Sequence, residues 1–223
     1  MDKYIRVLTI LLNTEISERE VQMFRGAVLD IIGKDDDALY SGHESDGSCR
    51  QRYPLIQYKR IAGRAAIVCV GRGIEVIMSF LEKNATTLRL GTREVQTGVI
   101  EMSQSETFVQ FTNTPVHYDL HAWLALNPEN EHRYEQAYGI KERIEILEAV
   151  LCGNILSMLK GLDCYIDEKL EVTITDFKER HHDYVKGFPM RSFDVSFAVN
   201  IFLPEHLGLG KSASKGHGVI NRK

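Results

Sequence analysis

The chain has 223 residues, of which 43% are hydrophobic and 26% are charged, and its formal net charge is −4. These proportions are ordinary for globular proteins, and the length suits one large domain or two small ones. No run of about 18 apolar residues occurs, which argues against a membrane-spanning helix. The first apolar run, from Ile5 to Leu12, is too short and too early for a signal peptide with a cleavage site, so it predicts a buried first strand.

The four cysteines are far apart and form no CxxC pair. This spacing is typical of free thiols in a reducing compartment, and it favours neither a disulfide framework nor a zinc site. We therefore expect a cytoplasmic protein that holds no structural metal.

The first half of the chain predicts the order β-α-β-β-α-β of a ferredoxin-like fold. Ser17 and Glu20 form a capping-box pair before a helix that ends near Gly33, and Ala62-Gly63 joins two strands as a hairpin. The predicted strands are residues 3–12, 52–61, 64–70, 87–93 and 107–111, with a second helix over 74–83 and a polar loop over 34–48.

The second half is expected to be more helical at first and a variant of the same fold overall. Pro115 marks the boundary between a domain of residues 1–113 and a domain of residues 114–223. A long amphipathic helix is predicted over residues 140–159 and ends near Gly161. Three strands follow, at residues 169–175, 184–188 and 192–202. Trp123, Tyr134 and Tyr138 are expected in the core or at a domain interface.

Basic residues are concentrated in two segments that contain no acidic residue. One runs from Arg50 to Gly73 and the other from Gly208 to the C-terminus. A local basic surface attracts a polyanion even when the net charge is negative. For either segment alone, a solvated strand face is the simpler interpretation, and it stays open. The basic residues are Arg50, Arg52, Lys59, Arg60, Arg64 and Arg72 in the first segment and Lys211, Lys215, Arg222 and Lys223 in the second.

The C-terminal segment GLGKSASKGHGVINRK predicts a loop that holds phosphates. Its glycines permit conformations in which backbone amides converge on an anion, and lysines and serines add charge and hydroxyl donors. The sequence lacks the first glycine and the following helix of a Walker A loop, so a nucleotide P-loop is excluded. A mobile basic tail is the alternative. The candidate RNA-binding residues are Gly208, Gly210, Lys211, Ser212, Ser214, Lys215, Gly216, His217 and Gly218.

Four stretches together carry a family resemblance that covers nearly the whole chain: RYPLIQYK (52–59), WLALNPEN (123–130), LCGNILSMLKGL (151–162) and VKGFPMRSF…VNIFLPEHLGLGKSASKGHGVI (185–220). They resemble the CRISPR repeat-cleaving endoribonucleases of the RAMP superfamily, in particular the subtype of type I-B-like systems. The resemblance implies an α+β protein of two tandem ferredoxin-like (RRM-like) domains with a C-terminal Gly-rich loop. It also implies cleavage of precursor CRISPR RNA without metal or cofactor, leaving a cyclic phosphate.

The resemblance further implies a catalytic histidine in the loop after the first helix, where the sequence offers His43. Many members carry a second histidine nearby, whereas this chain has Tyr40 and Ser41, so the acid–base partner stays open among Tyr40, Tyr53, Lys59 and Lys211. Arg50, Arg52 and Arg60 are candidates for RNA binding beside the Gly-rich loop. Such families usually have an aromatic residue where this chain has His217.

The expected partner is CRISPR repeat RNA, with other proteins of a CRISPR effector complex and a second copy of the chain as further expectations. Two alternatives remain. The missing second histidine favours a non-catalytic RNA-binding relative. The helical region of residues 123–159 instead allows a structural subunit that packs against other proteins.

Overall fold

The computed structural model describes residues 3–32, 53–180, 183–185 and 187–223. By their contacts these residues divide into two compact units. One comprises Tyr4–Thr107 and Ser214–Gly216, and the other comprises Lys3, Phe108–Ala213 and His217–Lys223. Among the described residues, no helix has the length and apolarity that are needed to cross a bilayer.

The first unit contains a four-stranded sheet in the order β2-β3-β1-β6, as far as the chain is described. This is the strand order of a ferredoxin-like fold. A separate hairpin, β4–β5, precedes the last strand of the sheet. The elements are β1 (Lys3–Glu15), a 3-10 turn (Glu18–Glu20), α1 (Val21–Ile32), β2 (Ile56–Ile61), β3 (Arg64–Val70), α2 (Gly73–Val76), α3 (Met78–Glu82), β4 (Thr87–Leu90), β5 (Arg93–Gln96) and β6 (Val99–Val109).

The capping box and the hairpin of the first unit are confirmed. The backbone N–H of Ser17 donates to Glu20 Oε2 at 2.8 Å, immediately before α1. Ala62 and Gly63 both have positive φ, 47° and 81°, as a two-residue hairpin turn requires. Helix α1 packs its apolar stripe on the sheet, where Phe24 meets Tyr58 edge-on with 5.7 Å between the ring centroids.

Two predictions for the first unit are wrong in detail. The single helix over 74–83 is two short helices on either side of Ile77, which is fully buried. The strand at Thr87–Leu90 pairs with β5 and not with the main sheet. The sheet's last strand is β6, which is exposed along most of its length. Because β6 is polar and lies at the edge of the sheet, its hydrophobic pattern is weak.

The second unit has the same strand order as the first, β12-β7-β11-β8. Its helices connect β7 to β8, and residues 202–218 connect β11 to β12 where the first unit has short helices. The two sheets thus give the tandem ferredoxin-like fold that the sequence predicted. The elements are β7 (Phe111–Trp123), α4 (Pro128–Gln136), α5 (Ile140–Gly161), β8 (Val172–Glu179), β9 (Asp183–Val185), β10 (Phe188–Met190), β11 (Phe193–Ile201) and β12 (Val219–Arg222).

The long helix α5 covers the second sheet with the predicted apolar face. Leu147, Leu151, Ile155 and Met158 are fully buried. Trp123 and Tyr134 are buried with Phe193, as expected for core aromatics, and the Tyr134 and Phe193 rings lie 5.5 Å apart. The expectation for Tyr138 is wrong, because its side chain is fully exposed in the connection between α4 and α5.

Pro115 lies inside the 13-residue strand β7, where the sequence predicted a boundary. β7 pairs with β11 through Phe111 and then through Val116, with an irregularity between these pairs. Its pairs with β12 run only from Tyr118 to His121. Pro115 therefore falls in a gap of the ladder, where its missing N–H costs nothing. The division into domains of residues 1–113 and 114–223 stays a prediction.

Candidate nucleic-acid interface

The Gly-rich loop, defined here as residues 208–218, is ordered by apolar side chains in and beside it. Leu207 and Leu209 are fully buried, and Ala213 is nearly so. Gly208 forms a bridge with Val219, which closes the loop where β12 begins. These contacts contradict the alternative of a mobile basic tail.

Two positions of this loop require glycine, because other atoms of the protein lie too close to leave room for a Cβ. Gly218 has φ of 62°, and a Cβ there would lie 2.0 Å from the carbonyl oxygen of Leu209. Gly210 has φ of 78°, and a Cβ there would lie 2.7 Å from the indole nitrogen of Trp123. Any larger residue at either position would therefore displace backbone or a buried ring.

Several backbone amides of the loop donate hydrogen bonds within the protein. The N–H groups of Leu209, Lys211 and Gly218 donate to the carbonyl oxygens of Gly218, Leu124 and Ala122, at 2.8, 3.3 and 3.2 Å. The expectation that loop amides converge on an anion is thus wrong for these three. Among the loop side chains that carry a charge or a hydroxyl, Lys211 is exposed, and Ser212, Ser214 and Lys215 are half-buried.

The stretch Ser214–Gly216 belongs to the first unit, where it lies beside β2. The backbone N–H of Tyr58 donates to the carbonyl oxygen of Ser214 at 2.9 Å, and Tyr58 forms a parallel bridge with Lys215. The two basic segments that the sequence singled out therefore meet within this unit. Lys215 belongs to the second basic segment. Lys59 and Arg60, which follow Tyr58 in the chain, belong to the first.

Lys59 is the most unusual basic residue of β2. Its side chain is completely buried, and burial lowers the pKa of its ammonium to about 7. Desolvation disfavours the charged form, so neutral and protonated lysine coexist near neutral pH. The neighbouring Arg60 donates a hydrogen bond from its Nε to the carbonyl oxygen of Ile16 at 2.7 Å.

A shallow cavity of about 330 Å³ in the second unit is lined by residues of α4, β10 and the Gly-rich loop, including Met190, Arg191 and Lys211. Arg191 is neutralised there by ion pairs with carboxylates, of which Glu131 lies 2.7 Å and Glu135 3.2 Å away. Lys211 also lines this cavity and adds a positive charge to it.

His217 is held by β7. Its Nδ1 lies 3.3 Å from the carbonyl oxygen of Ala122, and because a carbonyl only accepts, Nδ1 carries the proton of this hydrogen bond. Ala122 has φ of 50°, which is uncommon for a residue with a Cβ.

Two family profiles match consecutive parts of the chain. The sequence profile of the Cas6b N-terminal domain matches residues 3–107, and that of the Cas6b C-terminal domain matches residues 110–223. The chain belongs to the Cas6b family. The predicted resemblance to CRISPR repeat-cleaving endoribonucleases is thereby confirmed at the level of the family.

Two solved structures resemble this Cas6b chain over nearly its whole length. One, described as the crystal structure of Cas6b, matches with a TM-score of 0.87 and 27% identity, covering 99% of this chain and 100% of its own. The other, described as CRISPR RNA processing endoribonuclease Cas6b, matches with a TM-score of 0.74, the same identity and the same coverage. A type IV Cas6 crRNA endonuclease, Csf5, has a TM-score of 0.60 at 11% identity, which shows a common fold alone.

Among curated sequences, the uncharacterized protein MJ0978 of Methanocaldococcus jannaschii is 38% identical over 100 residues. The match covers 45% of the Cas6b chain and 67% of that protein.

Four of the predicted site residues, Tyr40, His43, Arg50 and Arg52, lie outside the described residues. The structure therefore brings together only part of the candidate site of this Cas6b chain, namely β2 with Ser214–Gly216, and His217 with β7. Sequence reasoning missed Asp194, which contacts Ala122, and Arg180, which contacts Asp194. Asp194 lies at a polar position of β11 and Arg180 directly follows β8, and nothing in the local sequence distinguishes them.

Proposed function

We propose that this Cas6b chain is an endoribonuclease that binds CRISPR repeat RNA and cuts precursor CRISPR RNA within each repeat. The observation that carries the proposal is the match of both halves to Cas6b, together with the likeness over 99% of the chain to a structure described as a CRISPR RNA processing endoribonuclease. The two basic segments that meet at Tyr58 and Lys215 support a polyanionic ligand.

The proposed reaction is attack of a ribose 2′-OH on the adjacent phosphate, which breaks the bond to the 5′-oxygen and leaves a 2′,3′-cyclic phosphate. It needs a base for the 2′-OH proton, an acid for the leaving oxygen and donors for the charged phosphorane. His43 is assigned the base because imidazole titrates near neutrality, and Tyr40, three residues earlier in the sequence, is assigned as its partner. No step requires a metal ion or a cofactor.

Lys59 is the third proposed catalytic group. Its pKa of about 7 lies where a proton-transfer group works well at neutral pH. Its ammonium has no exposed surface in the free protein, so this role requires that RNA binding uncovers it. As a protonated amine it would stabilise the charge that develops on the phosphate.

RNA binding is assigned to Arg50 and Arg52, which precede β2 in the sequence, to Arg60 of β2 and to the Gly-rich loop. In the loop we assign phosphate contacts to the side chains of Lys211, Ser212, Ser214 and Lys215, since several loop amides are occupied. His217 is assigned a contact with a base or sugar in the position where family members carry an aromatic residue.

The test is incubation of the purified chain with a labelled repeat RNA from the host's own array, in EDTA. We expect one cut, and no cut when the same RNA carries a 2′-deoxy group at the cleavage site. His43→Ala should abolish cleavage and keep RNA affinity within about twofold. His132→Ala is the matched control, because His132 is an exposed histidine on α4, and it should cut at the wild-type rate.

Other outcomes identify the alternatives. Tight binding of the repeat with no cleavage would indicate a non-catalytic relative. Failure to bind RNA, with association to other proteins that salt hardly weakens, would indicate a structural subunit. A His43→Ala variant that still cuts at the wild-type rate would overturn the assignment of the base. Light scattering would test the proposed homodimer, and co-purification would test assembly with CRISPR effector proteins.

A further inference from the structure

Strand β7 has an irregularity where it meets the end of the Gly-rich loop. Phe193 pairs with Trp123, whereas Val195 pairs with Leu120, so two residues of β7 lie opposite the single residue Asp194. Such a bulge leaves one residue outside the ladder, and bulges are common beside functional sites. The two bulged residues are His121 and Ala122.

The carboxylate of Asp194 holds both bulged residues. Its Oδ1 accepts a hydrogen bond from the backbone N–H of Ala122 at 2.9 Å and lies 2.9 Å from Nδ1 of His121. Asp194 thereby replaces the ladder partner that the bulge removes from Ala122 and holds this residue at its positive φ.

Arg180 in turn fixes Asp194. One guanidinium nitrogen, Nη1, lies 3.2 Å from each oxygen of the Asp194 carboxylate, and the Arg180 side chain is only 20% exposed. A charge-assisted contact of this kind restricts the carboxylate to one orientation.

The carbonyl oxygen of Ala122 transmits this arrangement to the Gly-rich loop. It accepts hydrogen bonds from Nδ1–H of His217 at 3.3 Å and from the backbone N–H of Gly218 at 3.2 Å. The direction of this carbonyl depends on the unusual backbone conformation of Ala122. Asp194 and His217 are thus linked through one residue, Ala122, whose N–H contacts Asp194 and whose carbonyl oxygen contacts His217.

We propose that Asp194 is a positioning residue for RNA binding. Through the bulge at Ala122, it holds the His217 ring in one orientation and, when neutral, in the Nδ1-protonated tautomer. This inference rests on the proposed function for the part that concerns RNA, whereas the link from Asp194 to the His217 tautomer stands independently of it.

The first test reads the His217 ring itself. Two-bond ¹H–¹⁵N correlation spectra of the full-length chain distinguish the two neutral tautomers of histidine. We expect the Nδ1-protonated form in the wild type and its loss in Asp194→Ala. Asp194→Asn should keep it, because the amide oxygen still accepts the Ala122 N–H. An unchanged tautomer and an unchanged Gly218 amide shift in Asp194→Ala would overturn the proposal.

The second test is a double-mutant cycle on affinity for the repeat RNA. We expect His217→Ala and Asp194→Ala each to weaken binding about 5- to 30-fold, as the loss of about 1–2 kcal/mol implies. The double variant should bind within about twofold of either single variant, because both remove the same contact. Multiplicative effects, or no effect of His217→Ala, would overturn the proposed role in RNA binding.

Controls separate positioning from general loss of structure. Asp176→Ala removes an exposed aspartate from the neighbouring strand β8, and it should change neither the His217 tautomer nor the affinity. If Asp194→Ala does not fold, Asp194→Asn and Arg180→Met are compared with the wild type by the same spectra. We then expect the tautomer kept in Asp194→Asn and partly lost in Arg180→Met, and the reverse result would contradict the proposal. If the wild type binds no repeat RNA, the proposed function fails, and the spectra alone decide the positioning.

Discussion

The indole Nε1 of Trp123 donates a hydrogen bond to Oδ1 of Asn154 at 2.9 Å, and this pair forms the surface on which Gly210 lies. A Cβ on Gly210 would approach the indole nitrogen to 2.7 Å and the Asn154 oxygen to 2.8 Å. The Gly-rich loop therefore packs against a partly buried polar contact between β7 and α5.

Substitution of Gly210 should damage both stability and RNA binding. We expect Gly210→Ala to lower the free energy of unfolding by about 1–3 kcal/mol, because the methyl group overpacks the Trp123–Asn154 contact at a positive φ. Urea unfolding measures this change. Gly153→Ala is the matched control, since Gly153 is exposed on α5 and a Cβ there would meet nothing within 4 Å. It should be neutral or stabilising by up to about 1 kcal/mol. Equal losses in the two variants would contradict the role of the Gly210 contact.

Lys59 should make stability depend on pH above neutrality. Its folded pKa of about 7 lies below the ordinary value of 10.5, so between these values the unfolded chain binds a proton that the folded chain does not. The free energy of unfolding should therefore rise with pH, by about 2 kcal/mol between pH 7 and pH 9 from this group alone.

Lys59→Met should remove this rise and be the more stable form near pH 6. Urea unfolding at several pH values measures the difference between variant and wild type. Lys83→Met, at an exposed position, should leave the pH dependence unchanged. Parallel curves for the wild type and Lys59→Met would show that the Lys59 pKa is ordinary.

Glu20 should contribute stability that is lost in acid. Hydrogen bonds from the backbone and hydroxyl of Ser17, with the nearby Arg93, lower the pKa of this carboxyl below 4.5. The contribution is complete above pH 4.5 and disappears as the pH falls through the folded pKa. We expect Glu20→Ala to cost about 1 kcal/mol at pH 7 and progressively less below pH 4.5, as measured by thermal unfolding.

A second variant separates the cap from the ion pair with Arg93, whose Nη2 lies 2.6 Å from Glu20 Oε1. Because that pair is exposed on the Arg93 side, Arg93→Met should cost less than about 0.5 kcal/mol. A larger cost for Arg93→Met than for Glu20→Ala would show that the ion pair, and not the capping box, stabilises the start of α1.

The loop lysines should determine the salt dependence of RNA binding. Each phosphate contact releases condensed counterions, so Lys211→Ala or Lys215→Ala should make the slope of log affinity against log salt less steep by about 0.7–0.9. Fluorescence anisotropy between about 50 and 200 mM salt measures this slope. Lys141→Ala on α5, whose lysine lies 3.9 Å from Glu145, is the control and should keep the wild-type slope.

The sequence by itself determined those elements whose signal is local. Ser17 and Glu20 predict the start of α1 because a capping box satisfies amides three residues apart. The two residues Ala62-Gly63 predict the β2–β3 hairpin because the turn and its strands are adjacent in the chain. The apolar spacing of α5 predicts its buried face in the same way. The candidate loop was also visible, since glycine, lysine and serine are concentrated within residues 208–218.

The tertiary structure alone decided what depends on distant partners. β6 has little hydrophobic pattern and becomes a strand by pairing at the sheet edge, and Pro115 is tolerated in β7 because it falls in a gap of the ladder. The burial of Lys59 follows from what packs around β2, and its pKa follows from that burial. Asp194 and Ala122 are 72 residues apart in the chain. Their contact arises from strand register, which long-range packing selects and no local pattern specifies.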